Sequence, residues 1–457
     1  MRHALLLVAT ALLASGCGAS ATVRAARAGD RAELRREIAE RHRQGTLGEG
    51  EAAKIARAVA ARELSTATGP DARKRMSELR GCAMDVEDEL FERTKSHDET
   101  GAAAALVLFE DGRLGDGDAR EWLTDGDDAW RSIAARALVR DDDGPLRRKL
   151  VLDPSPRVRR SAVRASARAG ELADLETLFE TARVDPEPIV RTEALRAMSA
   201  VLRKRQPAAG HAADLAVRLR DLWTAGDDAA REDIAVMWAL SPIREHGGMQ
   251  ALRVTVAAGQ GPGAIAAAGV VLRTEAAKDA ELAASARALL SRTIAEGSRR
   301  DQLHAIAVAP LAADDLVAAM RKVGKGPDPE VRVAALARLL EVPADRAGAI
   351  RDLLAFAAYG VRAGRPPSAP EDDPLGLAHA ARARFALAAI GQLEAQRAWV
   401  EADLGAPDPV RRLRAATTLS LLGHAARAAP LLADDDPSVR TRSACIILSA
   451  ARGPSRR

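Results

Sequence analysis

Aromatic side chains are scarce in this chain: five Trp, one Tyr and five Phe stand among 457 residues. Tyrosine and tryptophan anchors dominate tight protein interfaces, so recognition by this chain is expected to be polar and of modest affinity. Trp122, Trp130, Trp223, Trp238 and Trp399 are expected to fill core space. An excess of one charge is lacking too. Lys and Arg number 68 against 64 Asp and Glu, a net charge of +4. That near-balance makes no basic field and argues against a nucleic-acid partner. No pair of the eight histidines (His3, His42, His97, His211, His246, His304, His379, His424) stands at metal-ligand spacing, and none lies near a cysteine. Zinc is therefore not expected. Neither a Gly-x-Ser-x-Gly elbow nor a phosphate loop with its lysine occurs. The stretch Gly259-Gln260-Gly261-Pro262-Gly263 is like a phosphate cradle only superficially, because no strand precedes it and Pro262 has no N–H to donate. It reads as a break between helices. Asp111, Asp116, Asp118, Asp125, Asp127 and Asp128 miss the spacing of a calcium loop and stand where helix N-caps are wanted. No catalytic residue, cofactor or metal site is expected, and the chain reads as a non-enzyme.

What is abundant is alanine, leucine and arginine, in a pattern. An arginine returns with a small residue three positions later: Arg131/Ala134, Arg159/Ala162, Arg191/Ala194, Arg332/Ala335, Arg412/Ala415 and Arg440/Ser443. Asp125, Asp153, Asp185 and Asp434 lie six residues before four of these arginines, while Asp328 and Asp408 lie four before the other two. Arg131, Arg159 and Arg191 are spaced by 28 and 32 residues, and Arg412 and Arg440 by 28. A recurring period of this size marks stacked helical hairpins, none of which buries its apolar face alone. Within one unit, Asp153-Pro154 reads as a turn. Val158, Ala162, Ala165 and Ala169 then form a narrow apolar stripe whose small residues let neighbouring helices approach. The arginine beside the stripe is placed to meet a turn aspartate of its own or the next repeat, a structural rather than chemical role.

These residues resemble the HEAT-repeat family in its bacterial form, whose repeats are similar to those of phycobilisome lyases. The resemblance covers about residues 106–457 and is strongest at 125–205, 326–342 and 406–452. It implies an all-α fold, a right-handed α-solenoid of about ten helical hairpins, and a scaffold for protein–protein interaction. An enzyme or enzyme subunit of the bilin-lyase kind is the alternative that it carries. Repeats 246–325 diverge; the spacing predicts hidden anchors near Ala266, Arg300 and Ala380.

The chain opens with Met1-Arg2-His3, an apolar run from Ala4 to Ala14, and Ser15-Gly16-Cys17. A charged start, a short apolar stretch and small residues make a signal peptide over 1–16. Ala14-Ser15-Gly16-Cys17 resembles the bacterial lipobox, with alanine where leucine is usual and Leu13 one position further back. The resemblance implies lipidation of Cys17, a tether over 17–23, a cell-envelope location on either membrane, and envelope proteins as partners. Cleavage after Ala19-Ser20-Ala21 would instead release a soluble secreted protein.

Residues 24–105 read as an N-terminal helical domain. Asp30-Arg31-Ala32-Glu33 caps a helix to about Arg43, and further helices run to about Leu64, from Asp71 to Arg80, and from Met84 to Thr94. Repeats follow over 106–325 and 326–457, with a proline- and glycine-rich loop at 360–374. Arg147-Arg148-Lys149 and Arg203-Lys204-Arg205 read as solvated helix ends. Cys82 and Cys445, 363 residues apart at opposite ends of the expected array, are expected to remain unpaired and pack as small hydrophobes.

Overall fold

In the computed structural model, which describes residues 20–360 and 373–453, every regular element is helical. The N-terminal helices are α1 (Ala21–Ala28), α2 (Arg31–Gln44), α3 (Glu49–Thr66), α4 (Gly69–Glu78), α5 (Glu87–Thr94) and α6 (Glu99–Glu110). The anticipated cap at Asp30 is present, its carboxylate accepting the Glu33 N–H at 2.9 Å. Helical structure begins at Ala21 rather than Arg24. Ser20 caps α1 by accepting the Val23 N–H, and its hydroxyl donates to Glu51 at 2.6 Å.

Next come α7 (Asp116–Arg120), α8 (Asp128–Arg136), α9 (Gly144–Leu150), α10 (Pro156–Ala169), α11 (Leu175–Val184), α12 (Pro188–Lys204), α13 (Ala209–Ala225) and α14 (Asp228–Ala239). After a π-turn at 244–248 the chain continues through α15 (Met249–Ala258), α16 (Gly261–Arg273), α17 (Ala280–Glu296), α18 (Arg299–Val308), α19 (Asp314–Val323), α20 (Pro329–Leu339) and α21 (Arg346–Ala357). The even-numbered helices from α8 to α20 pack each on the next, so each hairpin contributes its second helix to one continuous layer. That is the stacking of an all-α solenoid. The predicted stripe is the reason: Val158, Ala162 and Ala165 are fully buried on α10. The anchors expected in the divergent stretch fall on this layer, Ala266 on α16 and Arg300 on α18.

The C-terminal helices are α22 (Pro374–Ala389), α23 (Arg397–Ala402), α24 (Pro409–Leu421) and α25 (Pro437–Ala451), with a 3-10 segment at Ala425–Ala433. Helix α22 packs on α24, α24 on α25, and α25 on α3. The chain therefore forms two compact units: one joins Met1–Arg113 to Gly360–Arg457, and the other is Leu114–Tyr359. The helices expected to make a separate N-terminal domain share a unit with the last repeats. We call these the terminal unit and the inserted unit.

Candidate functional site

The repeating aspartate and arginine build one local device several times. In α10, Arg159 donates from Nη1 to the carbonyls of Asp153 and Pro154, both at 3.0 Å, which ties the guanidinium to its own turn. Its Nε and Nη2 grip the carboxylate of Asp185 in the following repeat at 2.8 and 3.0 Å. That carboxylate also accepts the Glu187 N–H at 2.9 Å, which shapes the turn leading into α12. Arg131 repeats the arrangement with the carbonyls of Asp125 and Gly126 at 2.9 and 2.8 Å and with Asp153 at 3.6 Å. Arg412 bonds the carbonyls of Ala406 and Pro407 and pairs with Asp434 at 2.9 Å. The onward pair is bidentate for Arg159 and Arg412 and a single longer contact for Arg131.

Three anchors depart from that scheme. Arg191 holds the carbonyls of Asp185 and Pro186 at 2.7 and 3.2 Å, but the next repeat carries Ala225 six residues before Arg231, so the onward rung is missing. Arg332 was expected in the ladder and stands outside it: its guanidinium lies 4.8 Å over the ring of Phe356, while Asp328 is spent on the N–H groups of Glu330 and Val331. Arg440 holds the carbonyls of Asp434 and Asp435 and then donates to Glu63 of α3 at 2.7 Å. Glu63, buried and also paired with Arg75 at 2.8 Å, occupies the place of a next-repeat aspartate.

A second series was not anticipated. Arg120 forks onto Asp143 at 2.8 and 2.5 Å. Arg147, read as a solvated helix end, has no exposed side-chain surface and bonds Asp174 at 2.9 Å and the carbonyl of Arg140 at 2.9 Å. Its neighbour Arg148 shares Asp174. The signal in the sequence is Asp-x-x-x-Arg, at Asp116/Arg120 and again 27 residues later at Asp143/Arg147. In the terminal unit, Asp403 is gripped by both Arg384 and Arg411 in the buried interior.

The two ends of the chain meet inside the terminal unit. Glu49 of α3 accepts the Ala426 N–H at 3.0 Å, Ser438 donates to Glu78 at 2.8 Å, and Arg452 reaches the Gly81 carbonyl at 2.6 Å. Cys82 and Cys445, expected to be separate and unpaired, form a disulfide across a Cα–Cα distance of 5.4 Å. The expectation failed because it placed the ends of the chain at opposite ends of the stack, whereas α25 packs on α3 as on a further repeat.

Chemically these groups are spent. The hydrogen bonds that Arg159 donates to Asp185 hold its guanidinium above the usual range, so it stays a fixed cation. The acidic cluster is engaged likewise: Asp111 accepts the N–H groups of Gly81 and Ala83, Asp127 caps α8, and Asp128 accepts from Ser155. Among the described residues no group of three His, Cys, Asp or Glu could hold a metal ion. One carboxylate is perturbed upward: burial pushes Asp233 of α14 up to about 6, against the pull of Arg196 at 3.7 Å. Trp130 and Trp238 are buried as expected, whereas Trp122, Trp223 and Trp399 are half-exposed. Cys17 and most of the 360–374 loop lie outside the described residues.

Residues 118–199 match the family model described as HEAT repeats. That stretch holds Arg131, Arg159 and Arg191. Residues 118–199 are thus a run of HEAT repeats. No curated protein matches this chain. Among solved structures, the crystal structure of an engineered protein matches at 18% identity, covering 84% of this chain and 99% of that one with a TM-score of 0.26. Among the described residues, no helix is long and apolar enough to cross a membrane.

Proposed function

We propose that the chain is an exported, lipid-anchored scaffold of the bacterial cell envelope, whose HEAT-repeat helices present a preorganised surface to another envelope protein. The observation that carries the reading is the ladder. It ties several repeats to the next, most firmly through the buried bidentate pair of Arg159 and Asp185, and a surface that is already rigid loses little entropy when a partner docks. The Cys82–Cys445 disulfide supports export, since such bonds persist in oxidising compartments and are rare in the cytosol. Ser20 supports cleavage before Cys17 over cleavage after Ala21. The later cut would remove the residue that caps α1 and bonds Glu51, leaving orphan N–H groups at a helix start whose Thr22 and Val23 are buried. An anchored Cys17 leaves that start intact.

The test is fractionation with mass spectrometry. Wild-type protein is expected in the membrane fraction with an acylated Cys17 at its N-terminus, and Cys17→Ala in the soluble fraction. An unmodified chain beginning at Thr22 overturns the anchor. Crosslinking in intact cells, followed by purification from membranes, then identifies the partner; deletion of residues 365–372 should alter its capture only modestly, and loss of capture on that deletion would move the binding surface from the repeats to the loop.

A further inference from the structure

A cavity of about 480 Å³ opens in the inserted unit where α13, α14, α15 and the start of α16 converge. Its size is that of a small-molecule site. One wall is indole: Trp223 and Trp238 have ring centroids 5.0 Å apart, tilted by 31°. The facing wall is aliphatic and includes Val254, which is 61% exposed although it lines the cavity. The floor is the first turn of α16. Gly263 is required there, because a Cβ at this position would lie 2.9 Å from Arg231 Cδ and 3.0 Å from the Trp223 ring. A side chain would fill the space that the glycine leaves to the indole.

The charged groups of the lining are of one sign, beside the neutral Thr224, Gln250, Thr255 and Gln260. Arg220 and Arg231 line the cavity, and no aspartate or glutamate does. Arg220 is exposed and has no ion-pair partner among the described residues. The N-terminus of α16 faces the same space through Gln260 and Gly261, with no side chain capping it. An uncapped helix start of thirteen residues favours negative charge. Trp238, 2% exposed, contributes a buried indole N–H that has no hydrogen-bond partner. Arg231 is paired with Asp228 at 3.5 Å and bonded to the Trp223 carbonyl, so the unpaired guanidinium of Arg220 beside an apolar wall and a helix N-terminus defines the ligand by its chemistry.

We propose that this cavity binds a flat aromatic carboxylate, its ring system lying against the half-exposed indole of Trp223 and its carboxylate directed to Arg220 and the start of α16. Stacking supplies the area, and the charge-assisted bond supplies the orientation. The proposal does not rest on the lipid anchor.

The test titrates the full chain with naphthalene-2-carboxylate and, in parallel, with neutral naphthalene-2-carboxamide, reading tryptophan fluorescence and heat. Saturable binding of the carboxylate at one site is expected, with the carboxamide weaker by about tenfold or more. Arg220→Gln should weaken the carboxylate by a similar factor and flatten its salt dependence, leaving the carboxamide unchanged. Val254→Glu, at an exposed position, should abolish carboxylate binding without moving the unfolding midpoint. Equal binding of acid and amide, no saturation by either, or undiminished binding in Arg220→Gln and Val254→Glu overturns the proposal.

Discussion

Arg159 does more for this chain than Arg191, although the two occupy the same position in successive repeats. Arg159 satisfies two carbonyls of its own turn and neutralises Asp185, which is only 7% exposed. Its replacement by alanine strands a buried carboxylate, so Arg159→Ala is expected to cost about 2–4 kcal/mol. Arg191→Ala forfeits turn carbonyls alone and should cost about 1 kcal/mol. Equal losses in chemical denaturation would contradict the onward rung. Asp233 offers a pH test. Its folded pKa of about 6 lies above the ordinary 3.8, so the folded chain holds the proton more tightly between those values. Stability from this group is present in full below pH 4 and declines as pH rises through 6. Asp233→Asn should therefore match or exceed wild type at pH 7.5, by up to about 1 kcal/mol after allowance for the partly exposed pair with Arg196, and lose that advantage below pH 4. Denaturation midpoints measured across this range check the sign.

At the scale of elements, Arg440 on α25 reaches Glu63 on α3 as Arg159 reaches Asp185, so a residue of an N-terminal helix completes a C-terminal rung. Glu63 keeps Arg75 when Arg440 is removed. Arg440→Ala should accordingly cost only about 1–2 kcal/mol and act locally, speeding amide exchange along α3 and α25 while α10 is unchanged. Uniform acceleration throughout the chain would count against a local seam. Much of the element order was legible in the sequence. The repeat spacing placed helices of the packed layer even at Ala266 and Arg300, because the period of a stacked repeat persists where its Arg/Ala signature is lost. Local capping chemistry at Asp30 was equally readable. Arg147 was not, since three consecutive basic residues look solvated from the sequence and only the neighbouring hairpin supplies Glu171 and Asp174. The Glu63 rung was hidden too: no period links residues 377 apart, and glutamate replaces the recurring aspartate.

For the whole molecule, the decisive fact is that the terminal unit is discontinuous in sequence while the inserted unit, Leu114–Tyr359, is continuous. The inserted unit can complete its core from one stretch of chain. The terminal unit has to wait for α25, made long after α3 and α4, before those helices gain their packing partner. The Cys82–Cys445 bond then locks that late pairing across a sequence separation of 363 residues. A crosslink of this span restricts the unfolded chain strongly, so its removal should cost about 2–4 kcal/mol, felt by the unit that contains both sulfurs. Four of the five tryptophans, Trp122, Trp130, Trp223 and Trp238, belong to the inserted unit, and Trp399 alone reports on the other. The difference signal between wild type and Trp399→Phe therefore isolates the terminal unit. With Cys82→Ser and Cys445→Ser combined, that signal should unfold at lower denaturant, while the remaining tryptophan transition stays in place. The same shift should follow reductant in wild type and be absent in the double mutant. A single transition that moves as a whole would mean that the two units unfold as one cooperative body, and no shift at all would mean that noncovalent packing of α25 on α3 already holds the ends of the chain.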